Sequence, residues 1–124
     1  MTQEDKELLL KDLSARLHYG VKVTWDGKHP LTVTPHIYCA IVSEDNINNL
    51  PKLLLRPMSS MTEDDIIELS KIDEKRIIFS SRHLTYHLDG EVIDYLNRKM
   101  FDYRGLIPMG LAIEASEGMY EYKL

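Results

Sequence analysis

The chain has 124 residues, 44% of them hydrophobic and 28% charged, which predicts one globular domain with a single core. Its net charge of −5 opposes a general attraction to nucleic acid, and its apolar runs are shorter than the roughly 20 residues of a membrane span. The lone Cys39 excludes an internal disulfide, and the acidic start MTQEDKELLL is unlike a signal peptide, so we expect a cytoplasmic protein without membrane contact.

The first element is predicted to be an amphipathic helix over residues 3–17, because leucines recur there at four-residue spacing. Thr2 and Asp5 are placed to form a capping box at its start. Gly20 supplies a C-terminal stop, since glycine readily adopts the left-handed conformation that ends helices.

A hairpin is predicted over residues 21–34, where apolar and polar residues alternate on both sides of the turn signal Asp26-Gly27. Pro35 should then break the ladder or force a bulge. The run IYCAIV at residues 37–42 is apolar on both faces, which is typical of a central strand covered on both sides. We therefore expect Cys39 to be buried as a structural core residue.

The middle of the chain predicts an extended apolar stretch, LLL, that ends at Arg56-Pro57, followed by a helix to about Ile72. Thr62 caps this helix and Asp65 reaches back to it. The acidic group Glu63, Asp64, Asp65 and Glu68 is explained by capping and by the helix dipole, although metal ligation or mimicry of nucleic-acid charge is an alternative.

The last third predicts a hairpin over residues 75–88, a helix capped by Asp89 and ended around Gly105 and Pro108, and a short strand over residues 111–115. Together these elements predict an α+β fold: a single domain, residues 1–124, with a mainly antiparallel sheet packed with about three helices.

The segments LRPMSSMTEDD and MFDYRGLIPMGLAIEA, the latter followed by EGMY, resemble a family of small uncharacterised proteins from gut Bacteroidales, their prophages and mobile elements. The opening LLLKDLSARLHYGVKV is also similar to that family, whereas residues 28–49 and 72–89 match less clearly. The resemblance implies a bacterial or phage cytosolic setting and carries no catalytic assignment. Its recurrent residues are ones that shape the fold, around Arg56 to Thr62 and around Asp102 to Gly105.

The residues that we single out for binding are Asp102, Tyr103 and Arg104 at the predicted helix end, together with Tyr120 and Tyr122 in the C-terminal tail. Tyrosine and arginine are the residue types that anchor protein interfaces. The alternative is structural: Arg104 pairs with Asp102 or with a helix carbonyl, and the ring of Tyr103 packs inward. The leading hypothesis is a non-enzymatic accessory or protein-interaction protein without a cofactor, whose oligomeric state the sequence leaves open.

Two other functions are kept as alternatives. A small metal-dependent enzyme or nuclease would use His29, His36, His83 or His87 with acidic partners. On the predicted strand, however, His83 and His87 would lie about 13 Å apart, too far to share an ion. Nucleic-acid binding through the C-terminal half would need its scattered basic residues to converge in space: Arg76, Arg82, Arg98, Lys99 and Arg104.

Overall fold

The computed structural model describes residues 1–72, 78–79, 84–85 and 90–120, with side chains for 1–72 and 91–120. Over these residues it has four α-helices. They are α1 (Gln3–Arg16), α2 (Pro35–Val42), α3 (Glu63–Ile72) and α4 (Gly90–Arg98). None of these helices has the length and apolarity that a membrane crossing requires.

The main sheet has four strands in the order β2-β1-β3-β6. They are β1 (Lys22–Thr24), β2 (Leu31–Thr32), β3 (Lys52–Leu55) and β6 (Ala112–Glu114). β1 pairs antiparallel with β2 and with β3, whereas β6 pairs parallel with β3. A separate antiparallel hairpin joins β4 (Ile78–Phe79) and β5 (Leu84–Thr85). The α+β fold with a mainly antiparallel sheet is therefore confirmed.

The larger core lies between α1 and the main sheet. Leu9 and Leu13 are fully buried on α1 and pack with Val23 of β1 and Leu53 of β3. The capping box predicted at the start of this helix is present, because the Thr2 hydroxyl accepts from the Asp5 N–H at 3.1 Å and the Asp5 carboxylate accepts from the Thr2 N–H at 3.0 Å. Local sequence signals thus place α1 correctly.

A second core joins α3 to α4 through Leu69, Val92, Leu96 and Phe101. We predicted that α4 would continue towards Gly105, but it ends at Arg98. Met100 takes a left-handed conformation with φ of 63°, which lets the Phe101 N–H reach the Leu96 oxygen at 2.9 Å and close the helix. The capping role predicted for Asp89, and the side chains of His83, His87 and Tyr122, lie outside the described residues.

The prediction of a central strand over residues 37–42 is wrong, because these residues form α2. The Thr34 hydroxyl accepts from the Ile37 N–H at 3.2 Å, and Pro35 occupies the first turn of the helix, where its fixed φ is favourable and its missing N–H costs nothing. Only Ile41 is buried on α2, while Cys39 is exposed. The expected burial of Cys39 is therefore also wrong, and α2 brings the α-helices of the described residues to four, where about three were predicted.

Candidate functional site

A cleft of about 500 Å³ opens where the chain leaves the two parallel strands β3 and β6. We call it the carboxyl-end cleft. One wall follows β3 and the other follows β6, and both contain polar residues. The lining residues are Arg56, Pro57, Ser60 and Thr62 on the first wall, and Glu114, Ala115, Ser116, Glu117, Gly118 and Tyr120 on the second.

The position of this cleft follows from the strand pairing. Two neighbouring parallel strands have their carboxyl ends at the same edge of the sheet. The crevice beyond those ends is where open sheets that contain parallel strands commonly bind ligands. β3 and β6 are the parallel pair of this sheet, with Leu55 opposite Glu114 at the last register position. The location therefore marks the cleft as the leading candidate site on geometric grounds.

Arg56 forms a fixed part of the first wall. Its N–H donates to the Met100 oxygen at 2.7 Å, and its own oxygen accepts from the Asp102 N–H at 2.8 Å. The guanidinium lies 4.2 Å from the centre of the Phe101 ring, a distance at which a cation is attracted to the ring face. Its contacts with the Lys99 oxygen at 3.5 Å and with the Asp65 carboxylate at 3.4 Å are long.

Asp65 anchors the wall from behind. Its carboxylate accepts from the Thr62 N–H at 2.9 Å, from the Thr62 hydroxyl at 3.0 Å and from the Tyr95 hydroxyl at 2.9 Å. Burial opposes ionisation, but these hydrogen bonds and the charge of Arg56 outweigh it, so the pKa of Asp65 lies below its ordinary value. Burial and the adjacent Asp65 carboxylate raise the pKa of Tyr95. The predicted role of Thr62 and Asp65 in starting α3 matches this geometry.

Tyr120 holds the second wall against the sheet. Its hydroxyl donates to the Leu54 oxygen at 2.7 Å and accepts from the Lys22 N–H at 2.8 Å. One side chain of the C-terminal segment is thereby tied to both β1 and β3. Of the two C-terminal tyrosines predicted to bind a partner, the described one lines the carboxyl-end cleft.

Two carboxylates at the cleft differ from the anchored groups. Glu114 and Glu117 are exposed, and neither makes a hydrogen bond or an ion pair within the described part of the chain. In contrast, the hydroxyls of Ser60, Thr62 and Tyr120 donate to protein oxygens. These two carboxylates are therefore charged groups of the cleft that the described residues leave unpaired. Sequence analysis missed both, because only the parallel pairing of β6 with β3 brings them to the cleft.

The predicted binding residues Asp102, Tyr103 and Arg104 lie together. The Asp102 carboxylate accepts from the N–H groups of Leu106 and Ile107 at 2.8 and 2.9 Å, which fixes the turn after α4. The Tyr103 hydroxyl donates to Asn97 and accepts from Arg104.

Arg104 does not pair with Asp102, as one reading of the sequence expected, but donates to the carboxylate of Asp12 at 3.0 Å. Asp12 is fully buried on α1 and also binds Arg16, which is fully buried as well. The guanidinium of Arg16 also donates to the Phe101 oxygen at 2.7 Å. The Tyr103–Arg104 pair thus ties α1 to the segment after α4, and its role in partner binding stays a prediction.

The residues proposed for metal or thiol chemistry are not assembled in the described structure. No group of three or more His, Cys, Asp and Glu side chains is arranged to hold a metal ion among the residues described. His36 and Cys39 are both exposed on α2, but no hydrogen bond joins their side chains there. His29 contacts Asp26 within its own turn. Of the basic residues proposed to bind nucleic acid, Arg98 and Lys99 both lie near the Tyr95 ring and Arg104 is paired with Asp12.

Comparisons of the chain with protein-family models, with curated proteins and with solved structures found no match. The class is therefore defined by the fold and the cleft alone: a small α+β protein whose mixed sheet carries an open, acid-rimmed cleft at the carboxyl ends of its parallel strands.

Proposed function

We propose that the protein is a non-enzymatic interaction protein that takes up a segment of a partner protein in the carboxyl-end cleft. The observation that carries the proposal is the combination of an open cleft of about 500 Å³ with walls held in place by internal hydrogen bonds. A volume of this size accommodates a few side chains of a ligand. Walls that are already fixed lose little conformational entropy when a ligand binds.

The division of polar groups at the cleft supports binding rather than chemistry. The hydroxyls of Ser60, Thr62 and Tyr120 are used within the protein, whereas the exposed groups of Glu114, Ser116 and Glu117 face the solvent side. Nucleophilic catalysis would need a hydroxyl beside a base that activates it. The Thr62 hydroxyl does meet the Asp65 carboxylate, but that carboxylate also accepts from the Thr62 N–H and the Tyr95 hydroxyl, which is the arrangement of a helix cap. Recognition needs only groups that a partner can meet without displacing internal bonds.

The biological setting is a second part of the proposal. The resemblance of LRPMSSMTEDD and MFDYRGLIPMGLAIEA to small proteins of gut Bacteroidales, their prophages and mobile elements supports an accessory role in the cytoplasm of such a host. Fractionation of expressing host cells tests the location. Recovery in the cytosolic fraction is expected, and recovery in the membrane or culture medium would contradict it.

Site-specific photocrosslinking tests the docking site. A photoreactive residue at Ser116, in the cleft, should give a discrete crosslinked product with a host protein, whereas the same residue at the exposed Ser14 on α1 should not. Both positions are surface serines, so the two variants are matched in expected stability. Equal products from both positions, or none from Ser116, would count against the cleft as the docking site.

A further inference from the structure

A smaller cavity of about 190 Å³ adjoins the carboxyl-end cleft on the sheet. We call it the turn cavity, because the loop between β1 and β2 borders it. It shares Glu114 and Ser116 with the cleft. The two cavities are therefore neighbours with a shared border, and we call the pair the groove. The other residues that line the turn cavity are Thr24, Gly27, Lys28, Pro30, Leu54, Ile113 and Met119.

The two ends of this groove differ in chemistry. Four of the residues that line the turn cavity are apolar, Pro30, Leu54, Ile113 and Met119, which favours an apolar side chain of a ligand. The cleft contributes the exposed carboxylates of Glu114 and Glu117. A ligand that fills both cavities would need an apolar residue and a charged residue close to each other in its sequence.

The charges of the groove indicate the sign of that residue. Arg56 is the one cation among the residues that line the cleft, and the Asp65 carboxylate 3.4 Å from its guanidinium offsets part of its charge. Glu114 and Glu117 have no such internal cation within the described structure, and the whole chain carries −5. Lys28 lies at the apolar end, in the turn cavity. The potential therefore favours a positive charge in the cleft and disfavours one beside Lys28.

We propose that the groove binds an extended basic segment of a partner protein, with a lysine or arginine at Glu114 and Glu117 and a neighbouring apolar side chain over Ile113 and Met119. This inference rests on the proposed function, since it names the chemistry of the segment that the same cleft takes up. An extended segment fits because the two cavities meet at Glu114 and Ser116, so neighbouring side chains of one short stretch can enter both.

Selection from short random peptides displayed on phage, with the full-length protein as bait, tests the inference. Bound peptides are mapped by the amide NMR shifts of residues 114–118, which report the cleft itself. Enriched sequences are expected to carry lysine or arginine next to an apolar residue. The affinity of a selected peptide should fall as salt is raised, because exposed charge pairs are screened.

The variant Glu114→Gln with Glu117→Gln should weaken a selected peptide about three- to tenfold, the range for two exposed ion pairs. The matched control is Glu4→Gln with Glu7→Gln on α1, which makes the same change in net charge at exposed positions. Its affinity should match that of the unsubstituted protein.

Three other outcomes distinguish a failure of the basic-segment inference from a failure of the cleft as the docking site. Peptides that shift residues 114–118 but carry no basic residue would overturn the inference and leave the cleft as a docking site. Basic peptides weakened equally by both double variants would show attraction to net charge alone and overturn the inference as well. Peptides that bind without shifting residues 114–118 would overturn both proposals.

Discussion

The hydroxyl of Tyr120 occupies the place of a backbone hydrogen bond between β1 and β3, donating to the Leu54 oxygen at 2.7 Å. In the antiparallel register Val23 lies opposite Leu53 and Thr24 opposite Lys52, so Lys22 would come next to Leu54. Instead, the Lys22 N–H donates to the Tyr120 hydroxyl at 2.8 Å. Tyr120 thus bridges two strands that diverge, and beyond this point Arg56 pairs with Phe101.

Replacing Tyr120 with phenylalanine should lower the free energy of unfolding by about 1–3 kcal/mol, because two backbone groups lose their shared partner. Urea unfolding measures the change. The control is Tyr38→Phe on α2, whose hydroxyl makes no hydrogen bond within the described residues, and it should change stability by less than about 0.5 kcal/mol. Equal effects of the two substitutions would contradict the bridging role.

Removing the Asp12 carboxylate should be the most damaging of these substitutions. Asp12→Ala leaves the fully buried Arg16 and the largely buried Arg104 without their shared counter-ion, and breaking a buried pair in this way costs about 3–5 kcal/mol. Thermal unfolding measures the loss of stability in Asp12→Ala, and the control is Glu7→Ala at an exposed position on the same helix. A loss no larger than that of the control would show that Asp12 does not hold α1 to the segment after α4.

The Asp65 carboxylate predicts a dependence of stability on acid pH. The pKa of Asp65 is lowered from the ordinary 3.8 in the folded protein. Its contribution to the free energy of unfolding is therefore fully present above pH 3.8 and is lost as the pH falls through the folded-state pKa. At neutral pH, Asp65→Asn should cost about 1–2 kcal/mol, because a neutral amide accepts more weakly from Thr62 and Tyr95 and loses the attraction to Arg56.

Denaturant unfolding at several pH values measures this dependence. The stability difference between the unsubstituted protein and Asp65→Asn should shrink as the pH falls below 3.8. Asp64→Asn, an exposed neighbour in the same helical turn, provides the control with an identical change in charge. A difference that stays constant with pH would mean that the charge of Asp65 does not matter to folding.

The turn between β1 and β2 predicts a second pH effect. The hydrogen bond and charge of Asp26 raise the pKa of His29 above 6.5, and the same contact with His29 lowers the pKa of Asp26. The contribution of His29 to the free energy of unfolding is therefore present below pH 6.5 and is lost as the pH rises through the folded-state pKa of His29. That of Asp26 is present above 3.8 and is lost as pH falls, so the pair stabilises the turn most between these two values.

NMR titration of the His29 ring measures this pair directly. The pKa of His29 should lie above 6.5 in the unsubstituted protein and should decrease in Asp26→Asn, which keeps the shape of the side chain without its charge. A pKa of His29 that is the same in both proteins would show that the contact does not persist in solution.

Local signals in the sequence predicted much of the fold. The Thr2–Asp5 and Thr62–Asp65 capping boxes each involve residues three apart, and both form where they were predicted. The error over residues 37–42 arose because an apolar run of six fits either a strand or a helix. The pair Thr34-Pro35, which is typical of a helix start, could have decided between them.

The candidate site could be predicted only in part. Tyr120 was singled out as an aromatic residue near the C-terminus, but its partners Lys22 and Leu54 are 98 and 66 residues away in the chain. The cleft depends on the parallel pairing of β3 with β6, which no local pattern specifies. The structural alternative paired Arg104 with Asp102 or with a helix carbonyl, whereas its partner Asp12 lies 92 residues away.

Hydrogen exchange tests most directly whether the carboxyl-end cleft is the docking site. It compares the protein alone with its non-covalent complex with the partner that crosslinking identifies. We predict that binding slows exchange at the amides of Ser60 and Thr62 on the first wall and of residues 114–118 on the second. Unchanged exchange at both walls, with protection confined to another surface such as the exposed face of α2, would contradict the account.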